Sequence, residues 1–358
     1  MPLIEHTDNG LYCSRGDFYI DPWKPVSRAV ITHAHSDHAR PGSQRYLCHT
    51  DSVNLLRLRL GADIAVQALP WGESVSINGV SVSLYPAGHI IGSSQVRVSY
   101  QDEVWVVSGD YKLEDDGISG AFEPVRCHTF ITESTFGLPL YRWRPQAAIF
   151  ASIEAWIREN QAEGLTSVLF AYSLGKAQRL IRQLGGLGIP LFVHGAIWNV
   201  QVTLRAGGWD FPVTEWITPE TPKERYKGQI VIAPPSADDS PWLRKFIPYS
   251  LGVCSGWMQV RGNVRRRNAD AGFALSDHAD WDGLLSAVRA TGAERVLATH
   301  GFQSAFSRYL VEREGLQAAE IHTAFGDEDE GAAAAALDVP APGAPTDPQT
   351  PADDAENP

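Results

Sequence analysis

The sequence predicts an α/β fold or a layered α+β core, and three observations predict it. Roughly the first hundred residues read as short strands parted by turns. From Gly164 onward, strand-like and helix-like segments alternate in the manner of βαβ units. Several apolar strands also end on a histidine or an aspartate, where layered α/β folds place functional groups.

Taken in order, 18–20 is a strand stopped by Asp21-Pro22, since proline cannot continue it. The apolar run 29–31 is a buried strand, and 46–49 is a short one. Thr50 or Asp51 is expected to cap a helix that runs to Leu60 and ends at Gly61. Residues 74–77 and 80–85 flank Asn78-Gly79, the pair suited to a type I′ hairpin turn. The same pattern recurs at 96–100 and 104–107 around Gln101-Asp102. A helix over 145–160 places Ile149, Ile153, Trp156 and Ile157 on one face. Strands at 167–171 and 191–193 bracket a helix at 176–184, a βαβ-type unit with an expected right-handed crossover, and 197–205 is helical. After a polar, proline-rich passage at 209–226 come strands at 229–233, 273–275 and 296–298, with helices at 281–290 and 304–313.

The 358 residues suffice for two domains or one elaborated domain, and 44% hydrophobic with 20% charged residues is the composition of a globular protein. The net charge of −12 is unevenly spread. Nine acidic residues and no basic ones follow residue 326, so the rest of the chain carries −3. That near-neutrality argues only weakly against a nucleic-acid substrate. Residues 327–358, made of Asp, Glu, Ala and Pro without aromatics, read as a disordered acidic tail. Cys13, Cys48, Cys127 and Cys254 form no C-x-x-C pair, which points to reduced thiols and a cytoplasmic setting. The N-terminus shows no signal-peptide pattern, and no apolar run reaches the ~20 residues of a membrane span.

The chemistry concentrates in Ile31-Thr32-His33-Ala34-His35-Ser36-Asp37-His38, which follows the buried strand. In extended backbone the side chains of residues i and i+2 point the same way, so His33 and His35 can grip one ion. Asp37 and His38 fall where the chain bends and can face a second. Imidazole nitrogen and carboxylate oxygen form a ligand set that zinc accepts. Four further strand-end residues are candidates to complete the site: Asp21, His89 beside Gly88, Asp110, and His300 in Thr299-His300-Gly301.

With these residues in order, the chain resembles the metallo-β-lactamase superfamily and, within it, the β-CASP nucleases, over residues 10–325. The motif His33-x-His35-x-Asp37-His38 is followed by His89 and Asp110 in the superfamily's sequence. The β-CASP resemblance rests on Ile131-Thr132-Glu133-Ser134-Thr135-Phe136-Gly137, on Leu275-Ser276-Asp277-His278-Ala279-Asp280, and on Thr299-His300-Gly301. Residues 16–23 and Ser255-Gly256-Trp257-Met258 look like the bacterial ligase-associated DNA exonucleases. The resemblance implies an αββα sandwich with an inserted α/β domain: 1–165 first part, 166–265 insertion, 266–326 return, then the tail. It implies two divalent metal ions, zinc by ligand type with manganese or iron as alternatives. One is held by His33, His35 and His89, the other by Asp37, His38 and His300, with Asp110 bridging and Asp21 supporting from outside. It also implies a metal-dependent DNA exonuclease, 5′-to-3′ on single-stranded ends, working in repair with an ATP-dependent DNA ligase and a helicase.

Two ions about 3.5–4 Å apart can clamp both moving oxygens of an in-line phosphoryl displacement. His278, polarised by Glu133, is the candidate general acid for the leaving oxygen, and a helix cap is the alternative reading. Asp37 is counted with them among the catalytic residues. Tyr172-Ser173-Leu174-Gly175-Lys176 opens a helix, so Ser173, Gly175 and Lys176 are candidates to cradle phosphate, against an ordinary capped helix. His194, at the next strand end, faces the same cleft or serves as a backbone-bonded histidine. Trp257 and Arg261, near Arg265, Arg266 and Arg267, suit base stacking and backbone contact on a single strand, against a solvated charge run. Three rival functions are weighed: an RNA-processing nuclease of the same group; a small-molecule hydrolase on the same core, against which the long insertion and the Glu133 and His278 pair argue; and a noncatalytic scaffold without metal, against which the filled ligand positions argue.

Overall fold

The computed structural model describes residues 2–266 and 268–321, without the side chains of residues 261, 264 and 266. The acidic tail and Arg267 therefore lie outside the described residues. Three sheets organise the described residues. The first has six strands in sequence order: Glu5–Thr7, Gly10–Cys13, Phe18–Ile20, Ala29–Val30, Tyr46–Cys48 and Val66–Ala68. Its first three strands are antiparallel and the remainder run parallel.

The second sheet has seven strands, in the order Gln317–Glu320, Arg295–Thr299, Thr129–Glu133, Glu103–Val107, Ser94–Tyr100, Val80–Pro86 and Ser74–Ile77. The four strands from Gln317–Glu320 to Glu103–Val107 are mutually parallel, and those after them are antiparallel. The expected hairpin forms, with Asn78 and Gly79 both at positive φ (49° and 82°), as a type I′ turn needs.

Alternation along the strands explains the layering. In the second sheet Trp105, Val107 and Ile131 turn one way and join Phe18, Ile20, Val30 and Leu47 of the first sheet in one core. Val106 and Phe130 turn the other way, under Leu284, Leu285 and Val288 of the helix Trp281–Thr291 and Phe306 and Leu310 of Gln303–Glu314. The outer face of the first sheet is covered by Leu55 and Leu56 of the helix Val53–Leu60. The result is helix, sheet, sheet, helix, bound by period-2 burial.

The third sheet is wholly parallel: Glu215–Trp216, Leu191–Val193, Ile230–Ala233, Thr166–Phe170, Tyr249–Cys254 and Ala271–Phe273. Its strands are apolar on both faces, as a sheet covered on both sides requires. Helices Gln146–Glu163, Lys176–Leu184 and Gly195–Ala206 cover one face.

The strands at 166–170 and 191–193 do run parallel in one sheet with the helix Lys176–Leu184 between them in the chain, as a βαβ unit requires, and Ile230–Ala233 pairs between them. Several expectations are corrected here. Tyr249–Cys254, a central strand, is absent from the sequence reading. Its Gly252 interrupts the strand pattern, yet a Cβ there would come within 3.1 Å of Leu169, Phe273 and Trp156. The strand expected at 273–275 is Ala271–Phe273 and pairs with Tyr249–Cys254 in the third sheet instead of returning to the second. Neither Thr50 nor Asp51 caps the first helical turn; the His49 side chain accepts from the Asp51 N–H. Among the described residues, no helix is long and apolar enough to cross a membrane.

Candidate metal centre

The strands Glu103–Val107, Thr129–Glu133 and Arg295–Thr299 run side by side in the same direction and end at one edge. Just beyond those ends stand Asp110 and His300, and Glu133 closes its own strand. The first sheet contributes from across the core: Phe18–Ile20 leads into Asp21, and Ala29–Val30 into the loop of His33 to His38. Two backbones are held in the left-handed region, Asp21 at φ 44° and His300 at φ 55°. Such conformations persist where surrounding contacts fix them, commonly at functional sites. Gly109, at φ 57°, lies so close to Thr32 that a Cβ would meet its side chain at 2.6 Å.

These ends converge. Ligand atoms of His33, His35, His89 and Asp110 lie within 4.8 Å of one another, as do those of His33, Asp37 and His38, and those of Asp110, Glu133 and His278. Asp110 is central, with Oδ2 at 3.4 Å from His33 Nε2, 3.4 Å from His38 Nε2 and 3.7 Å from His89 Nε2. The His300 ring stacks on His38 at 5.3 Å, and Asp37, His38 and His300 line one small cleft with Asp21.

Hydrogen bonds fix which nitrogen of each ring faces inward. A carbonyl can only accept, so His89 donates from Nδ1 to Asp277 O (2.9 Å) and His35 donates from Nε2 to Leu174 O (3.1 Å). His38 Nδ1 donates to the Asp21 carboxylate at 2.7 Å, which also accepts from the Thr32 N–H. The remaining nitrogens, His89 Nε2 and His35 Nδ1, therefore present lone pairs to each other at 3.1 Å. Nitrogens about 2.0–2.1 Å from one tetrahedral zinc lie roughly 3.3 Å apart. His33 Nε2, His38 Nε2 and Asp37 Oδ1 are buried without a hydrogen-bond partner among the described residues. Facing lone pairs and buried orphaned ligand atoms fit a divalent cation, or two.

The electrostatics agree. Burial pushes His33 and His35 down, and burial with the neighbouring His278 and His35 charges takes His89 to about 3. Burial opposes charge on Asp110, but His38 outweighs it and holds the carboxyl well below its usual range. The same cluster thus keeps three imidazoles neutral and its carboxylate ionised, the states in which these groups bind metals. Burial opposes charge on His38, but Asp110, Asp37 and Asp21 raise it well above its ordinary value, so it must shed a proton to ligate.

Glu133 binds in two directions. Oε1 accepts from the Tyr111 N–H at 2.7 Å, and Oε2 accepts from His278 Nδ1 at 2.9 Å. Burial disfavours the His278 imidazolium, yet Glu133 outweighs it and raises the group to about 9. His278 does not cap the following helix; Asp280 does, accepting from the Gly283 N–H.

The candidate phosphate cradle is placed differently from expectation. Lys176 is 1% exposed, with its ammonium turned inward, 3.6 Å from the Asp277 carboxylate and 4.5 Å over the Tyr172 ring. Ser173 is buried, and the Gly175 N–H is taken by Gln178 Oε1 at 2.7 Å. His194 caps its helix through the Ala196 N–H and packs edge-on against Trp242. Trp257 is half-buried against Phe136, Tyr141 and Phe302, and Phe136 in turn meets His278 at 6.0 Å. The Arg261 side chain lies outside the described residues.

Sequence reasoning missed four contributors. Thr32 ties Asp21 to His33, Arg179 and Asp277 form a buried ion pair, and Leu174 acts through its carbonyl. A carbonyl leaves no signature in side-chain identity. A buried arginine on a helix looks like any surface arginine until the packing is seen.

No protein-family model matches the chain. It is similar to a probable DNA ligase of Opitutus terrae, 32% identical over 320 residues, covering 89% of this chain and 31% of that protein. It is 28% identical over 148 residues to the endoribonuclease ysh1 of Emericella nidulans, covering 40% of this chain and 16% of the relative. RNase aCSPSF2 of Saccharolobus solfataricus is 27% identical over 200 residues, 47% of this chain and 40% of the relative. The chain thus spans less than half the length of each of these relatives. A solved structure of an Enterococcus faecalis protein of unknown function shares the fold with a TM-score of 0.56 at 11% identity, covering 83% of this chain and 79% of that one.

Proposed function

This chain belongs to the metallo-β-lactamase β-CASP family, and we propose that it is a metal-dependent nuclease cutting phosphodiester bonds of DNA from an end. The helix–sheet–sheet–helix stack is read as that family's αββα sandwich, and the parallel third sheet as its insertion. The observation that carries the proposal is the Glu133–His278 pair standing against Asp110. A bare hydrolase metal site has no need of such a pair, whereas a phosphodiester's departing oxygen needs a proton.

In this reading His33, His35 and His89 hold one divalent ion, Asp37, His38 and His300 hold another, and Asp110 serves both. When bound, such ions supply charge stabilisation for the scissile phosphate and a nucleophile usable at neutral pH. The chain's own residues do the rest. Asp21 holds the His38 ring through Nδ1. Glu133 holds His278 through Nδ1, so Nε2 is the atom that hands a proton to the leaving oxygen. The aromatic group around Trp257 lies beside that atom's ring and offers a face for stacking a base.

The DNA reading is supported by the probable DNA ligase, whose likeness spans most of this chain. In this reading the protein works beside an ATP-dependent ligase in a repair step, with 5′-to-3′ polarity. The second reading is RNA cleavage, favoured by the fungal and archaeal ribonuclease relatives. End-labelled single-stranded DNA and RNA, with and without a 5′ phosphate, given to wild type and Asp37→Ala, decide between them. Mononucleotides from DNA alone support the first reading and cleavage of RNA alone supports the second. Release from neither polymer by the metal-loaded protein would sink both.

A further inference from the structure

The histidines of the metal centre are held from two different parts of the chain. His33, His38 and His300 are braced by their own two sheets, through Thr32, Asp21 and Thr299. His35 and His89 are not. Their outer nitrogens donate to Leu174 O, just ahead of the helix Lys176–Leu184, and to Asp277 O, just after the last strand of the third sheet.

The first turn of that helix grips both carbonyl-bearing segments. Gln178 accepts from the Gly175 N–H and donates to Ser173 O at 3.1 Å, clamping the loop on either side of Leu174. Arg179, 2% exposed, donates from Nη1 to Ser276 O at 2.7 Å and to the Asp277 carboxylate. From Nη2 it reaches Gln146 Oε1 at 2.8 Å, and its Nε lies 3.7 Å from Asp116. Lys176 holds the other Asp277 oxygen. Both neighbouring carbonyls are thereby set where His35 and His89 need an acceptor.

We propose that Gln178 and Arg179 are positioning residues through which the third-sheet segment sets the affinity of one metal position, the one built on His35 and His89, and leaves the other to Asp21. The inference rests on the metal-centre reading above. The rings of His35 and His89 are free to rotate about χ1 and χ2 except for these carbonyl contacts and packing. Partners of this kind fix the tautomer and aim of a ligating imidazole, and their loss typically weakens metal binding 10–100-fold. A segment contributing no side-chain ligand thus controls half of the centre.

The test titrates zinc into the chelator-stripped full chain against a chromophoric competitor, with Co²⁺ absorption as a second readout. Wild type is expected to bind two equivalents. Arg179→Met and Gln178→Ala should weaken one equivalent by about 10–100-fold and leave the other intact. Asp21→Asn should weaken the opposite equivalent, so that the Co²⁺ bands lost in the two classes differ. If Arg179→Met fails to fold, Gln178→Ala, which leaves the ion pair whole, decides alone. A merely structural role would lower Tm and leave both affinities at the wild-type value, overturning the inference; so would loss of the same equivalent in all three variants. Wild type that binds no zinc overturns the metal-centre reading and this inference together.

Discussion

Glu133 and His278 stand 145 positions apart, and Glu133 Oε2 accepts a 2.9 Å hydrogen bond from His278 Nδ1. Glu133 closes a strand of the second sheet, while His278 lies in the segment that leaves the third. The pair therefore exists only when the third-sheet segment is docked against the other two sheets.

His278→Ala is expected to lower kcat by about 100- to 10,000-fold, the usual range for a lost general acid, with metal content unchanged. Glu133→Gln keeps an acceptor but loses the charge that favours the imidazolium, so a smaller fall in kcat is expected. Metal analysis beside turnover checks both. Full activity in His278→Ala would remove the residue from the mechanism.

Gly109→Ala forces a Cβ into Thr32 at a backbone φ of 57°. The expected destabilisation is about 1–3 kcal/mol from strain and overpacking. Because Thr32 ties Asp21 to His33, metal affinity should fall with it. Thermal melts with and without zinc measure both; a melting point at the wild-type value would show that the loop yields freely.

Burial pushes the thiols of Cys48, Cys127 and Cys254 to about 12. A raised value keeps the thiol neutral, so at pH 8 only about one in ten thousand is thiolate, and reactivity climbs as pH rises. Iodoacetamide at pH 8 should label these three at least about a hundredfold more slowly in the native chain than in urea. Mass spectrometry of the labelled peptides reads this out, and rapid native labelling of Cys127 would contradict the burial.

Trp257→Ala should raise KM for single-stranded DNA about fivefold or more with kcat nearly kept, the expected loss of one stacked base at 1–3 kcal/mol. Equal loss on a substrate with an abasic residue at each position would place the ring outside the substrate path.

The candidate ligand set was legible because it is carried by side chains at strand ends, in a spacing that few other arrangements share. His33, His35, His89 and Asp110 were named from sequence and the fold brings them within 4.8 Å. Asp21 was expected to support the site and lies against His38. What sequence hid were roles that depend on burial and backbone. Lys176 is a candidate phosphate cradle in the sequence, but the helix turns its ammonium into the protein, 3.6 Å from the Asp277 carboxylate. Leu174 and Asp277 act through carbonyls, which every residue owns. The strand Tyr249–Cys254 was invisible because Gly252 weakens the apolar pattern just where neighbours crowd closest.

The order in which the strand ends deliver their residues sets a timetable. At synthesis rates of roughly 5–20 residues per second, His300 follows His38 by roughly 13–52 s. Until His278 and then His300 emerge, the growing chain carries His33, His35 and His38 but neither of these two later histidines. In the proposed reading, a chain that stops short of His278 and His300 would lack part of its centre, so cleavage would await these late residues. For a nuclease of the proposed kind, that delay is a built-in safeguard.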